Sequence, residues 1–178
     1  MKTDQLETPL QVNIMTKPKA FVSLMKLRLS SLVVLSAFFG FLMAKGDLNS
    51  LSMYSLLLGG LLITGSSNGF NQILEIKTDT LMSRTKSRPL PVQIISKIEA
   101  IIFCAIIGTL GLFLLYTINY KSMLLGLFSM IVYVLIYTPL KQKSAIAVFV
   151  GAIPGSIPPL LGYVAVSNDF GLEPGVLF

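Results

Sequence analysis

The sequence predicts an all-α protein, a polytopic membrane helix bundle with five transmembrane helices, and three observations carry that prediction. Mean hydropathy is +0.78, and 53% of the 178 residues are hydrophobic while only 12% are charged. A soluble domain carries about 25% charged residues, so half of the usual polar coat is missing. Five apolar stretches are each long enough to cross a hydrocarbon core of about 30 Å at about 1.5 Å per residue. The basic residues, finally, are gathered in a few connecting segments on one side. Disorder is excluded by the apolar content. Nucleic acid is excluded as a partner because the net charge of +6 lies in membrane-flanking loops and forms no binding face. Histidine is absent and Cys104 is the single cysteine, so a zinc site, a Cys/His catalytic pair and an internal disulfide are excluded within this chain.

The spans fall at 27–44, 51–71, 100–119, 123–140 and 145–166. The first carries Arg28 alone, at its start, where the side chain can snorkel to the interface. The second, third and fourth are uncharged. The fifth holds Gly151, Pro154, Gly155, Pro158, Pro159 and Gly162, and such a helix is expected to be kinked or broken, with its freed backbone groups facing protein, water or ligand. Lys2, Lys17, Lys19, Lys26 and Arg28 precede or open span one. Lys77, Arg84, Lys86, Arg88 and Lys97 follow span two, and Lys141 and Lys143 follow span four. Only Lys45 and Lys121 lie on the other side, which predicts a cytoplasmic N-terminus and second loop.

Residues 1–25 form a cytoplasmic N-terminal segment, and 26–178 form the membrane part. Asp4 and Glu7 interrupt the leader and no Arg occurs before Arg28, unlike a mitochondrial transit peptide. The first apolar run is also long for a cleaved signal, so span one is read as retained. At the other end, Val176-Leu177-Phe178 reads as the start of a sixth helix, the mark of an N-terminal fragment.

The densest polar cluster follows span two. Asn71, Glu75 and Asp79 recur every fourth residue, and at about 100° per residue they share an arc of about 80° on one helix face. Two carboxylates and an amide there suit a hard cation such as Mg2+, which takes one or two carboxylates and completes its shell with phosphates and water. Arg84 and Arg88 are the residue type that grips phosphate through paired hydrogen bonds. In an unbroken helix Arg84 would point to the far side, so the chain must turn between Asp79 and Met82; Pro89 and Pro91 mark the irregular segment beyond. Spacing alone accommodates a second reading, a hydrated charged helix end followed by an ordinary basic loop.

The run Asn71-x3-Glu75-x3-Asp79-x2-Met82-x-Arg84-Thr85-x2-Arg88-Pro89 resembles the first acidic motif of the UbiA-type intramembrane prenyltransferases. Arg84-Thr-Lys-Ser-Arg-Pro-Leu-Pro91, Tyr137-Thr-Pro-Leu-Lys141 and the Gly/Pro run from Gly151 to Gly162 resemble the heme O synthase branch, over about residues 20–178. Glu75 stands where many relatives have Asp, Leu27 where they have Pro, and Gln93 where a small residue such as Gly is common. The resemblance implies a bundle of about nine helices, with a second acidic motif beyond Phe178. It further implies a bacterial inner-membrane enzyme that transfers a farnesyl group from farnesyl diphosphate to a vinyl group of heme b.

In that scheme Asn71, Glu75 and Asp79 are the catalytic residues and hold Mg2+, while Arg84 and Arg88 bind the diphosphate. Lys26, Arg28 and Lys141 are weaker diphosphate candidates. Tyr137 orients the diphosphate or shields the allylic cation, or else sits in the aromatic belt of the membrane interface. Terminal-oxidase assembly proteins are candidate partners besides the lipid bilayer, and the fragment alone is expected to be inactive. Phe38, Phe39, Phe103, Phe113 and Phe128 either line an isoprenoid channel or face lipid. The small-residue pattern Gly65-Ser-Ser-Asn68-Gly69 reads as helix packing. Other readings are a polyprenyltransferase for an aromatic quinone precursor, a piece of a secondary transporter and a non-catalytic assembly subunit. Transporter sites lie near the bilayer midplane, whereas Glu75 and Asp79 fall at the edge of the apolar run.

Overall fold

The computed structural model describes residues 16–171 and 175–176; the calls on residues 1–15 and on Leu177 and Phe178 lie outside them. A short helix α1 (Lys17–Leu24) leads into α2 (Leu27–Met43), followed by α3 (Leu51–Leu74), α4 (Ile76–Leu81) and α5 (Lys97–Ile118). Next come α6 (Tyr120–Ile131), a π-helical stretch Val132–Tyr137, α7 (Thr138–Leu140) and α8 (Ala147–Ser167). Five helical columns thus occupy the five expected spans. The helices at Lys97–Ile118, Tyr120–Leu140 and Ala147–Ser167 are long and apolar enough to cross a membrane. The pair α1 and α2, bent by 40°, makes a fourth span if the two count as one. Helix α3 has 24 residues, about 36 Å of helix, but its second half is polar. Ser66, Ser67, Asn68, Asn71 and Gln72 are buried there; a span whose polar face meets protein does not need lipid-grade apolarity.

The columns pack in the order α2, α3, α5, α6, α8 and back to α2, closing a ring. Their ends are set locally. Ser50 caps α3 by accepting from Met53 N, Ser96 and Glu99 form a reciprocal capping box on α5, and Asn119 caps α6 through Ser122 N, each satisfying donors that a helix start leaves free. The α2–α8 seam depends on glycine. A Cβ at Gly40 would strike the Pro159 carbonyl, and one at Gly162 the Ala37 carbonyl, so the backbones touch where any side chain would hold them apart. Leu32, Leu35, Phe39, Ile102, Ile106, Phe113, Leu124 and Leu135 are exposed, the surface that a bilayer covers.

Helix α8 departs from expectation. It runs uninterrupted from Ala147 to Ser167 with Pro154, Pro158 and Pro159 inside it. Pro154 and Pro158 line an open cavity, and Pro159 lies at the close α2–α8 seam. The break comes instead in the fourth column. Pro139 has no N–H to donate and its ring crowds the carbonyl four residues earlier; the helix widens to π geometry just before it. The Thr138 hydroxyl donates to the Tyr133 carbonyl at 2.8 Å, and Tyr133 and Tyr137 stack with ring centroids 5.4 Å apart.

Two apolar cores result. One joins Ala37, Phe41, Leu56, Ile63, Leu115 and Ile157 inside the ring. The other joins Ala20, Leu24, Ile73, Leu90, Ile95, Ala100 and Cys104, and it pins the loop after α4 against α1, α3 and α5. Gln93 in that loop has φ 58°. Glycine adopts this conformation without strain, which explains the small residue expected at that position. Leu27 is likewise the first residue of α2, where a proline's missing N–H costs nothing.

Candidate active site

The stepped trio survives folding with one small interruption. Helix α3 ends at Leu74, yet Glu75 N still donates to Asn71 O and Asp79 N to Glu75 O, so the column steps from α3 into α4 without losing its face. Met82, with ψ 127°, leaves the helix, and the chain turns where the sequence requires it.

Side chains from three segments converge on this face. Asn71 Nδ2 donates to Glu75 Oε2 at 2.8 Å. Lys141 Nζ, at the end of the fourth column, donates to Asn71 Oδ1 at 2.8 Å and lies 2.9 Å from Glu75 Oε1. The Thr138 hydroxyl, which donates to Tyr133 O, lies 3.0 Å from the same Asn71 oxygen. Arg88 Nη1 reaches both oxygens of Asp79, at 2.9 and 2.7 Å. The loop holds it there, because Pro89 and Leu90 are buried and the Thr85 hydroxyl donates to the Asp79 carbonyl at 3.0 Å. The side chains of Asp79 and Glu75 are only 5% and 13% exposed. Removing one partner from a pair so buried costs about 3–5 kcal/mol, because the other charge is left uncompensated.

Lys26 completes the cluster. It occupies the joint between α1 and α2 with φ 47°. It is half-buried, within reach of the charges of Arg88, Lys141, Glu75 and Asp79. The joint is tied to α3: Gln72 Nε2 donates to Leu24 O at 2.9 Å, Asn68 Nδ2 to Ser30 Oγ at 3.2 Å, and Ser30 Oγ to Met25 O at 2.7 Å. These bonds satisfy carbonyls that the end of α1 leaves free.

The weighting of the basic candidates therefore changes. Lys141 and Lys26, ranked low by position in the sequence, belong to the cluster with Arg88. Arg84 and Arg28 are exposed and form no ion pair among the described residues. Thr138, Gln72 and Tyr133 are additional members; for Gln72 the clue in the sequence is an amide in the polar second half of α3. Tyr137 does face the site, with Lys141 Nζ 5.4 Å from its ring centroid.

Below the cluster lies a cavity of about 560 Å3 between α2, α3, the fourth column and α8. Its wall is mostly apolar, from Leu29, Val33, Ala37, Ile63, Pro154, Ile157 and Leu161, with Thr64, Ser67, Asn68, Ser129, Tyr133 and Tyr137 as its polar members. None of the five phenylalanines considered for an isoprenoid channel lines it. Phe39, Phe113 and Phe128 are exposed, and Phe103 packs on Phe21 with centroids 4.9 Å apart. Tyr137 lines the cavity and its ring lies 5.4 Å from Lys141 Nζ of the charged cluster.

A family model described as the UbiA prenyltransferase family matches residues 33–178. The chain belongs to that family. It is 46% identical over 164 residues to a protoheme IX farnesyltransferase from Cytophaga hutchinsonii, covering 90% of this chain and 57% of that protein. It is 44% identical over 158 residues to one from Christiangramia forsetii, covering 89% and 53%. A mitochondrial protoheme IX farnesyltransferase from Pyricularia oryzae is 35% identical over 166 residues, covering 86% and 30%. The chain thus spans about half the length of the curated bacterial relatives it matches. No solved structure matches it.

The donor chemistry fits a hard divalent cation in part. Asn71, Glu75 and Asp79 offer only oxygen, which such ions prefer. Among the described residues no group of three or more His, Cys, Asp or Glu side chains comes together. Asn71, Glu75 and Asp79 thus present two carboxylates and an amide on one face.

Proposed function

We propose that the chain is the N-terminal part of a heme O synthase of the bacterial inner membrane, which transfers farnesyl from farnesyl diphosphate to a vinyl group of heme b. The observation that carries this reading is the junction at Tyr137, where a charged cluster meets an apolar cavity. The names of the relatives point to heme as the acceptor. The positive-inside rule puts the cluster on the cytoplasmic side.

The farnesyl tail lies in the cavity along α2, α3 and α8, and its diphosphate rises to the cluster. Lys141, Arg88 and Lys26 bind phosphate oxygens, guanidinium and ammonium groups being the strong donors for them. Asn71, Glu75 and Asp79 would hold Mg2+, which would supply electrostatic stabilisation for the leaving diphosphate. The C1–O bond breaks heterolytically and its electron pair leaves with the diphosphate. The allylic carbon then bonds to the terminal vinyl carbon as the vinyl π bond opens, and water adds at the other carbon and loses one proton to solvent, leaving the hydroxyl. Tyr137 and Tyr133 present ring faces beside the site, where a π-face steadies a carbocation, and the apolar wall excludes stray water. Arg84 and Arg28, exposed here, meet the diphosphate only if the loop or joint shifts.

The test is prenyl transfer by the protein in membranes supplied with farnesyl diphosphate, heme b and Mg2+, with products separated chromatographically. Hydroxyfarnesylated heme is expected. A prenylated hydroxybenzoate or naphthoate with no heme product overturns the acceptor, and no product with any acceptor overturns the reading.

A further inference from the structure

Every oxygen that could face a metal is already in use. Glu75 Oε1 pairs with Lys141 and Oε2 accepts from Asn71. Both oxygens of Asp79 accept from Arg88, and Asn71 Oδ1 accepts from Lys141, with the Thr138 hydroxyl 3.0 Å away. A divalent cation therefore cannot simply add to this face; it must displace ammonium and guanidinium donors. Those donors are the groups best suited to a diphosphate.

We propose that Lys141 and Arg88 are resident counter-ions of the acidic pair, exchanged in one concerted step when metal and diphosphate arrive together. This rests on the function proposed above. The metal takes the Glu75 and Asp79 oxygens while Lys141 and Arg88 move onto phosphate oxygens, so no charge is left alone. Either ligand by itself is disfavoured. Metal alone strands two partly buried cations, and diphosphate alone faces two carboxylates whose counter-ions it must take. Two carboxylates with Lys26, Lys141 and Arg88 leave the cluster one positive charge in excess. One divalent ion and a diphosphate ester of about three negative charges bring it to neutrality, the state a low-dielectric site favours. The exchange needs little movement of backbone, because Thr138 keeps its place beside Asn71 and a lysine stem is flexible. It makes metal and diphosphate binding strongly cooperative and keeps the site from ionising substrate until both are in place.

Opposite signs in two single-ligand titrations test this. With the protein in phosphatidylcholine nanodiscs, Mn2+ binding is followed by electron paramagnetic resonance, and metal-free binding of radiolabelled inorganic pyrophosphate is measured separately. Lys141→Met is expected to bind Mn2+ alone at least fivefold more tightly than the wild type and pyrophosphate alone at least fivefold more weakly. Arg88→Gln should show the same opposed pair. A folded variant in which both affinities fall, or neither changes, overturns the exchange, since loss of a merely structural bridge lowers both. Should neither variant fold, the wild type decides. Mn2+ and pyrophosphate together, corrected for their complex in protein-free discs, should bind at least tenfold more tightly than independent sites allow; additive binding overturns the proposal. A wild type that binds neither ligand in any combination overturns the underlying function as well, an outcome distinct from binding without coupling.

Discussion

The two ends of the bundle use the same kinds of side chain for different purposes. At the end opposite the motif, Lys121 Nζ donates to Asn168 O at 2.7 Å and lies 3.9 Å from an Asp169 carboxylate that is 74% exposed. Asn119 Nδ2 donates to Val164 O at 3.1 Å. These polar groups tie α6 to the carbonyls that end α8, and water can replace them. At the motif end, Glu75, Asp79, Lys141 and Arg88 pair with one another, largely out of water. A lysine and a carboxylate thus make a helix fastening in one place and part of a buried charged network in another. Burial and convergence decide which.

The largest expected effect separates the ends by charge. Glu75→Gln and Asp79→Asn should each lower farnesyl transfer at least a hundredfold, about 3 kcal/mol in the barrier, measured as heme product per folded protein. Retention of more than a tenth of the activity in both would remove the acidic pair from the chemistry. The next effect separates them by volume. Gly162→Ala, where α8 meets Ala37, should cost about 1–3 kcal/mol through overpacking, read as a lower unfolding temperature in detergent with kcat per folded molecule unchanged. An unchanged unfolding temperature would mean that the seam tolerates a side chain.

Smaller still is the loss of a tie. Gln72→Leu frees the Leu24 carbonyl and should destabilise by about 1–2 kcal/mol. By loosening the joint that carries Lys26, it should also raise KM for the prenyl diphosphate severalfold with little change in kcat. A fall in kcat alone would place Gln72 in the chemical step instead. The smallest belongs to the far end, where Asp169→Asn should stay within about 0.5 kcal/mol of the wild type and leave transfer intact. A strong effect there would erase the contrast between the two ends.

Composition and periodicity already specify the columns, since apolar runs long enough to span have one stable use in lipid. The trio Asn71, Glu75 and Asp79 is legible because its members are local: four-residue spacing fixes their face whatever surrounds them. The turn after Asp79 follows from the same arithmetic. Phosphate-binding chemistry in the loop is expected from residue type alone; in the structure Arg88 pairs with Asp79, while Arg84 is exposed.

Where partners come from distant segments, the sequence is silent. Lys141 is 70 residues from Asn71, and only the ring of columns brings them together. Thr138, Tyr133 and Tyr137 reach the site through a π-helical widening that a single proline favours but position alone does not fix. Helix α8 runs continuously through its three prolines, and the cavity beside it exists only once four columns have closed around it. Local spacing and hydropathy act along the chain and can be read there. Counter-ion pairing and cavity shape depend on which columns become neighbours, and packing alone decides that.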